Sequence, residues 1–327
     1  MKIIMCFLCL FFLTSCDTKN ISETLFIASI GIEKVEDEYR GYFYLPLSTD
    51  IGKSDTEGIG KGEYATVKGK SIAELFTFIK ATTSLSVNFK HVSSIVIKAE
   101  LFSQEFLEEL FAYIKYSLEI DYNCYIFITE DDLNELYNFQ NPNQESVLNS
   151  ILVSTSDSKG LFLVKKPMHF LELCSKYYEN RSILVPIVSV EEIWVVDESK
   201  VNNPYCQSAM YFYRNEKMFV IKDENSPYLN ELTDFYVKIK EASVCFEHYK
   251  AKLQFKERII IDIEFKYQAY LNSITNEEVK DFITNNVIKY IDKYQNMDPL
   301  DLDYYNKIYN KKYTYQDIEF KFKIDKS

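Results

Sequence analysis

Ser71-Ile72-Ala73-Glu74-Leu75-Phe76-Thr77-Phe78-Ile79, followed by Val92-Ser93-Ser94-Ile95-Val96-Ile97, is the stretch on which the fold class turns. Ser71 and Glu74 have capping-box spacing, in which hydroxyl and carboxylate each satisfy an otherwise orphaned N–H. Ile72, Leu75, Phe76 and Ile79 then fall at i, i+3, i+4 and i+7, the stripe of an amphipathic helix. Val92 to Ile97 reads as a buried strand. Helix then strand repeats outward from there. Upstream, Leu25 to Ile32 is an apolar strand, Glu36-Asp37-Glu38 a polar turn, and Tyr39 to Leu47 the returning strand. Downstream, Ser103 caps a helix carrying Phe106, Leu107, Leu110, Phe111 and Ile114 on one face, and Cys124 to Ile128 is the next strand. Thr129-Glu130-Asp131-Asp132 caps a short helix through Leu136. Val147–Leu152 and Phe170–Tyr178 are helical stripes, and Ile183–Val190 and Ile193–Val196 are strands. This order predicts a mixed α/β sheet with adjacent parallel strands.

The pattern changes after Val196. Asp197 to Pro204 is polar and is the expected boundary between an N-terminal region, 16–196, and a C-terminal α+β domain, 205–327. Beyond it, Ala209–Phe212 and Met218–Ile221 flank Tyr213-Arg214-Asn215-Glu216-Lys217 as a hairpin. Phe235–Ile239, Val244–Phe246 and Arg258–Tyr267 are further strands. Thr275 to Tyr294 is a helix with Val279, Phe282, Val287, Ile288 and Ile291 on its stripe, and Ile318–Ile324 is a closing strand. The expected architecture is multi-domain: an α/β half with a mixed sheet, then an α+β half of antiparallel strands and one long helix.

At the start of the chain, Lys2 precedes an apolar run from Ile3 to Leu13, then Leu13-Thr14-Ser15-Cys16. A charged start, a short apolar run and small residues describe a secretory signal, and the run is shorter than the ~20 residues a membrane span needs. The Leu-Thr-Ser-Cys order resembles a bacterial lipobox. That resemblance implies cleavage of residues 1–15, a diacylglyceryl group on the Cys16 thiol, and an extracytoplasmic body tethered to a membrane. Cys6 and Cys9, formally C-x-x-C, lie in the discarded run and imply no redox or metal chemistry.

With 37 Lys and Arg against 49 Asp and Glu, the net charge is −12. It opposes binding to nucleic acid and polybasic adhesion to anionic lipid, which leaves lipid on Cys16 as the evident hold on a bilayer. Eight glycines and seven prolines leave little room for long flexible linkers, while 26 tyrosines and 24 phenylalanines supply apolar bulk for several cores. Cys124, Cys174, Cys206 and Cys245 match no zinc spacing. Four cysteines permit three pairings, but apolar contexts at Cys124 and Cys174 favour structural thiols.

Groups with catalytic spacing are missing: there is no G-x-S-x-G or H-E-x-x-H, and His91, His169 and His248 have no partner at i+3 or i+4. Gly58, Gly60 and Gly62 lack the strand and helix of a phosphate loop, and Gly52-Lys53-Ser54 has Leu47 where a Walker motif needs glycine. The acidic runs Glu130-Asp131-Asp132 and Asp298-Pro299-Leu300-Asp301-Leu302-Asp303 lack EF-hand spacing; one is a helix start, where carboxylates suit the dipole, the other a turn. The expectation is a non-enzyme with no metal and no cofactor.

Three stretches taken in order resemble one family. Gly69-Lys70-Ser71-Ile72 through Phe76, then Phe89-Lys90-His91-Val92 with Ile95-Val96-Ile97, is similar to a segment of the Ger(x)C spore-germination lipoproteins. Gln207-Ser208-Ala209-Met210-Tyr211, Lys217-Met218-Phe219-Val220 and Glu224 resemble their hairpin, with Gln207 and Val220 in place of two usual glycines; Asp17 stands where an aromatic is common. The resemblance implies a lipid-anchored C subunit of a germinant receptor in the spore inner membrane, with polytopic A and B membrane subunits as partners. It does not say whether this subunit contacts germinant. The other readings the residues leave open are a solute-binding lipoprotein of an importer and a lipid-anchored hydrolase.

Overall fold

The structure is a computed structural model that describes residues 24–45, 63–117, 119–138, 168–196, 199–214, 217–221, 229, 235–270 and 272–325. The chain opens with β1 (Thr24–Phe26), β2 (Ser29–Val35) and β3 (Glu38–Leu45). The single strand expected over Leu25–Ile32 is divided, because Ile27 N–H donates to Asn88 C=O at 3.1 Å whereas Ala28 N–H donates to Tyr44 C=O at 3.0 Å. Successive residues thus join different partners: β1 pairs with β5 (Ser86–Asn88), and β2 enters the main sheet. Glu36 takes positive φ, 58°, in the tight turn from β2 to β3.

After β4 (Glu63–Gly69), the helix predicted from Ser71 forms as α1 (Ile72–Ala81). Ser71 Oγ accepts from Glu74 N–H at 3.2 Å, but the Glu74 carboxylate accepts from Lys70 N–H, one residue upstream of the expected partner. Ile72 N–H, another orphan donor, is met by Glu109 Oε1 from the next helix at 2.6 Å. β6 (Ser94–Lys98), α2 (Gln104–Ser117, capped by Ser103), β7 (Tyr125–Thr129) and α3 (Leu133–Asn138) follow as read. Then come the short β8 (Met168–His169), α4 (Phe170–Tyr178) and β9 (Ile183–Val196), one continuous strand where two were expected. Val147–Leu152, Glu224 and the two glycine-containing loops lie outside the described residues.

The main sheet has the order β11-β10-β9-β7-β6-β2-β3-β4, with β8 beside β7. Its centre, β2-β6-β7-β9, is parallel, as the helix-strand alternation predicts, and its flanks are antiparallel. Alternation along each central strand loads both faces. Ile95, Ile97, Ile126 and Ile128 pack with α1, α2 and α4 in one core, while Val96 and Phe127 point the other way into a smaller cluster with Leu133, Leu136 and Tyr137 of α3.

The boundary expected at Asp197–Pro204 falls elsewhere. β10 (Ser199–Arg214) pairs antiparallel with β9 along its length, and β11 (Lys217–Ile221) pairs with β10 as the predicted hairpin. Residues 205–221, expected to open the C-terminal half, therefore belong to the first sheet. The polarity of 197–204 misled because a two-stranded extension at a sheet flank needs no continuous apolar face.

The second sheet has the order β12 (Phe235–Ile239), β13 (Ala242–Phe255), β14 (Ile259–Tyr270) and β15 (Ile318–Ile324). β15 runs parallel to β14, the intervening chain forming α5 (Asn276–Tyr294) and α6 (Leu302–Tyr309). Thr275 and Glu278 complete a capping box at the start of α5. Val279, Ile283, Val287, Tyr290 and Ile291 bury against Val244, Phe246, Ile261 and Ile263 of the sheet, whereas Ile288, expected on that stripe, is 40% exposed. His248 lies within β13 at a register shift, with φ 52°.

Candidate functional site

Two places on this scaffold concentrate polar groups without regular pairing. The first is on the α3 side of the main sheet. Strand register sets Glu33 of β2, Arg40 of β3 and Lys68 of β4 in one cross-strand row, and Gly31, Tyr42 and Thr66 in the next. Glu33 is buried at 9% exposure, and its Oε1 accepts from Tyr42 Oη at 2.8 Å and Arg40 Nη1 at 3.2 Å. Burial and that carboxylate push the Tyr42 phenol up to about 12, so it remains a neutral donor. Asp132 and Asn134, at the start of α3, wall a groove of about 540 Å³ over this floor. Tyr42 stacks on Tyr137 at 5.8 Å, and Tyr64 donates to Asn134 Oδ1 at 2.7 Å, which fixes the wall to the floor.

The second place joins the two halves. Ser182 N–H donates to Asp301 Oδ1 at 2.6 Å, and Ser182 Oγ to Asp298 C=O at 3.1 Å. Arg181 pairs with Asp301 Oδ2 at 3.4 Å and lies 4.6 Å from the Tyr304 ring centre, a cation–π arrangement. Asp298 in turn accepts from Leu302 N–H, Asp303 N–H and Tyr315 Oη at 2.7, 2.9 and 2.7 Å. Asp298 and Asp301 both take positive φ, 52° and 58°, which aims their carboxylates at these donors. In the acidic run weighed as a calcium site, the Asp298 and Asp301 carboxylates thus accept from backbone N–H groups, Tyr315 Oη and Arg181. Beside it is a cavity of about 140 Å³ lined by Arg181, Leu184, Leu253, Tyr290 and Leu300.

The remaining sequence candidates are dispersed. Glu130-Asp131-Asp132 tie down the β7–α3 connection: Lys98 Nζ donates to Glu130 C=O and Asp131 C=O, Asp131 Oδ2 accepts from Val190 N–H, and Asp132 Oδ1 from Asn134 N–H. His91 packs edge-on to Phe26, and His169 Nδ1 bonds Asn123 C=O at 2.7 Å while stacking on Tyr125. Cys124, Cys174 and Cys245 are free thiols, and burial pushes both Cys124 and Cys174 up to about 12. The side chain of Cys206 and the whole of Cys16 lie outside the described residues. Sequence reasoning missed Glu33, Arg40, Lys68 and the Arg181–Ser182 contact. The first three become neighbours only through register, and Arg181-Ser182 carries no local motif.

These features define a class: a mixed α/β protein with two large sheets and a two-stranded β1–β5 pair, whose polar clusters are built from strand register and loop clasps. The family model described as the spore germination protein N-terminal domain matches residues 17–190, and the chain belongs to that family, the Ger(x)C-type germination proteins of germinant receptors. Membership places it among the non-enzymatic components of those receptors. One solved structure, the crystal structure of the GerBC protein, is similar over 91% of this chain and 96% of its own, at 13% identity and a TM-score of 0.49. No curated protein matches.

Proposed function

We propose that this chain is the lipid-anchored C subunit of a germinant receptor. It would be held by a diacylglyceryl group on Cys16 at the extracytoplasmic face of the spore inner membrane, in complex with polytopic A and B subunits. The observation that carries the reading is the family match, which starts at residue 17, directly after Cys16. Among the described residues no helix is long and apolar enough to cross a membrane, in keeping with attachment through lipid. Two acyl chains at about 0.8 kcal/mol per buried CH₂ give a stable hold where one would not. Tethering raises local concentration, so a modest interface with membrane partners suffices. An importer's solute-binding protein would share an anchor, but the family match favours the germination reading.

Two measurements test it. Cys16→Ala is expected to leave the chain with its signal uncleaved and without the lipidated mobility; unchanged mobility would show that Cys16 is not the anchor. Deletion of the gene is expected to abolish germination to at least one nutrient. Unchanged germination to a full nutrient panel, in a strain with no second receptor, would remove the receptor reading.

A further inference from the structure

The chain enters the described structure at one pole of its first half. β1 pairs parallel with β5, Thr24 opposite Ser86, so the chain arrives beside the Thr83-Ser84-Leu85 turn that links α1 to β5. The same pole holds the turns ahead of β6 and β7, for Ser93 N–H donates to Ala28 C=O and Tyr125 N–H to Ser93 C=O. It also holds the start of α4, whose Leu171 N–H donates to Tyr122 C=O. α1 and α2 both end here, joined where Lys80 of one pairs with Glu119 just beyond the other.

Large apolar side chains gather at this pole without being buried. Leu85, Tyr116 in the last turn of α2 and Leu171 in the first turn of α4 are 37%, 80% and 57% exposed. Lys115 Nζ lies 5.8 Å from the Tyr116 ring centre, and Lys90 is exposed in the turn ahead of β6. Apolar and aromatic groups rimmed by lysine suit a lipid–water boundary, where rings lie among headgroups and long cationic side chains reach the phosphates. The acids here are engaged: Glu119 and Glu172 pair with Lys80 and Lys176, and Asp121 accepts from Asn123 N–H. The opposite pole differs. There Glu36-Asp37-Glu38, Glu100, Glu105 and Glu130-Asp131-Asp132 collect at the far ends of β2, β6 and β7, and an anionic headgroup layer repels such a surface.

We propose that this pole lies against the lipid surface, with Leu85, Tyr116 and Leu171 entering the headgroup layer and Lys90 and Lys115 meeting its phosphates. The inference rests on the anchor proposed at Cys16 and adds which face that anchor brings to the bilayer. From Cys16 to Thr24 the chain reaches at most about 28 Å, at roughly 3.5 Å per residue. That tether keeps the Leu85 pole near the membrane, while the acidic turn beyond β2 stands on the order of 20 Å further off along the strand. A lipid chain alone limits distance and leaves the body free to rotate. The apolar contacts and the two lysines give it one face.

Quenching by brominated lipid tests it, on the full chain purified from membranes and reconstituted in vesicles of phosphatidylcholine and phosphatidylglycerol. In a Trp194→Phe background, one tryptophan is placed by Leu85→Trp, by Leu171→Trp or, at the opposite pole, by Asp37→Trp, all exposed positions. Brominated acyl chains are expected to quench the first two about twofold or more and to leave the third unchanged. Lys90→Glu combined with Lys115→Glu is expected to remove about half of that quenching; no loss would overturn the part given to the lysines. Flotation with the vesicles separates this inference from the anchor. A chain that does not float removes the anchor reading and the orientation with it. A chain that floats with Leu85→Trp and Leu171→Trp both unquenched keeps the anchor but overturns the proposal, and assigns the apolar pole to a protein partner. Equal quenching at all the positions overturns it as well, since the body then has no fixed face.

Discussion

An added Cβ at Gly31 would lie 2.6 Å from Tyr137 Cε2, on a ring that already bonds Ser29 Oγ at 2.8 Å and stacks on Tyr42. The ring cannot retreat without leaving Ser29, itself bonded to Ser94 Oγ in the same buried cluster. Gly31→Ala is therefore expected to cost about 1–3 kcal/mol through overpacking, read as a lower urea midpoint at unchanged slope. Nothing in the run Leu25–Ile32 marks Gly31 in the sequence, because its constraint comes from a residue 106 positions later. The structural thiols, Cys124 buried and Cys174 half-buried, were legible, since apolar context is local. With Cys124 and Cys174 raised to about 12, both are expected to stay thiols at pH 8 and resist alkylation until denaturant is added, checked by mass spectrometry of the native and unfolded protein. Native labelling at Cys124, which is buried where Cys174 is half-buried, would contradict the packing described.

At the scale of elements, the helix starts were the most legible parts of the chain, because a cap and its stripe are encoded within about eight residues. Glu109 was not, since it caps α1 from α2, a contact only packing creates. In the second half, the Thr275–Glu278 box is extended by Lys240, whose ammonium pairs with the Glu278 carboxylate. That ion pair, then the Thr275 backbone and hydroxyl donors, hold Glu278 down to about 2. A carboxylate depressed on folding stabilises above its unfolded pKa, about 4.3, and loses that contribution as pH falls toward 2. The acid limb of the stability profile should accordingly fall between about pH 4.3 and 2, and Glu278→Gln should flatten it there. A limb unchanged in that variant would assign the acid sensitivity to other carboxylates.

For the whole molecule, β9 does the joining. Ile183 and Val185 bury in the first core, while Leu184 between them packs against the second, so strand alternation alone ties two hydrophobic clusters together. The Ser182–Asp301 clasp fixes that strand's start to the α5–α6 connection. Asp301→Ala would leave buried Ser182 N–H unmet, at a cost of about 1–3 kcal/mol, and is expected to separate the transitions of the two halves. The single tryptophan, Trp194 on β9, reports the first sheet by fluorescence and circular dichroism reports both; coincident curves in the variant would show that the apolar contact alone couples them. The architecture of both halves was legible from periodicity. Where the first ends was not, because the polarity of 197–204 marks a hairpin within a sheet as readily as a linker.

β15 is the outer strand of the second sheet, and it alternates Ile318, Phe320, Phe322 and Ile324 with Glu319, Lys321 and Lys323. Among the described residues no strand pairs with its other flank, which there presents a row of N–H and C=O groups, a template on which another extended chain could add. Charged side chains, lysine above all, are how sheet edges are kept from stacking. Lys323 also pairs with Glu264 at 2.6 Å. Neutralising Lys321 and Lys323 to threonine should leave the monomer folded but make it self-associate at high concentration, seen by light scattering. The charge at this border is expected to keep neighbouring copies of the chain from fusing into a common sheet.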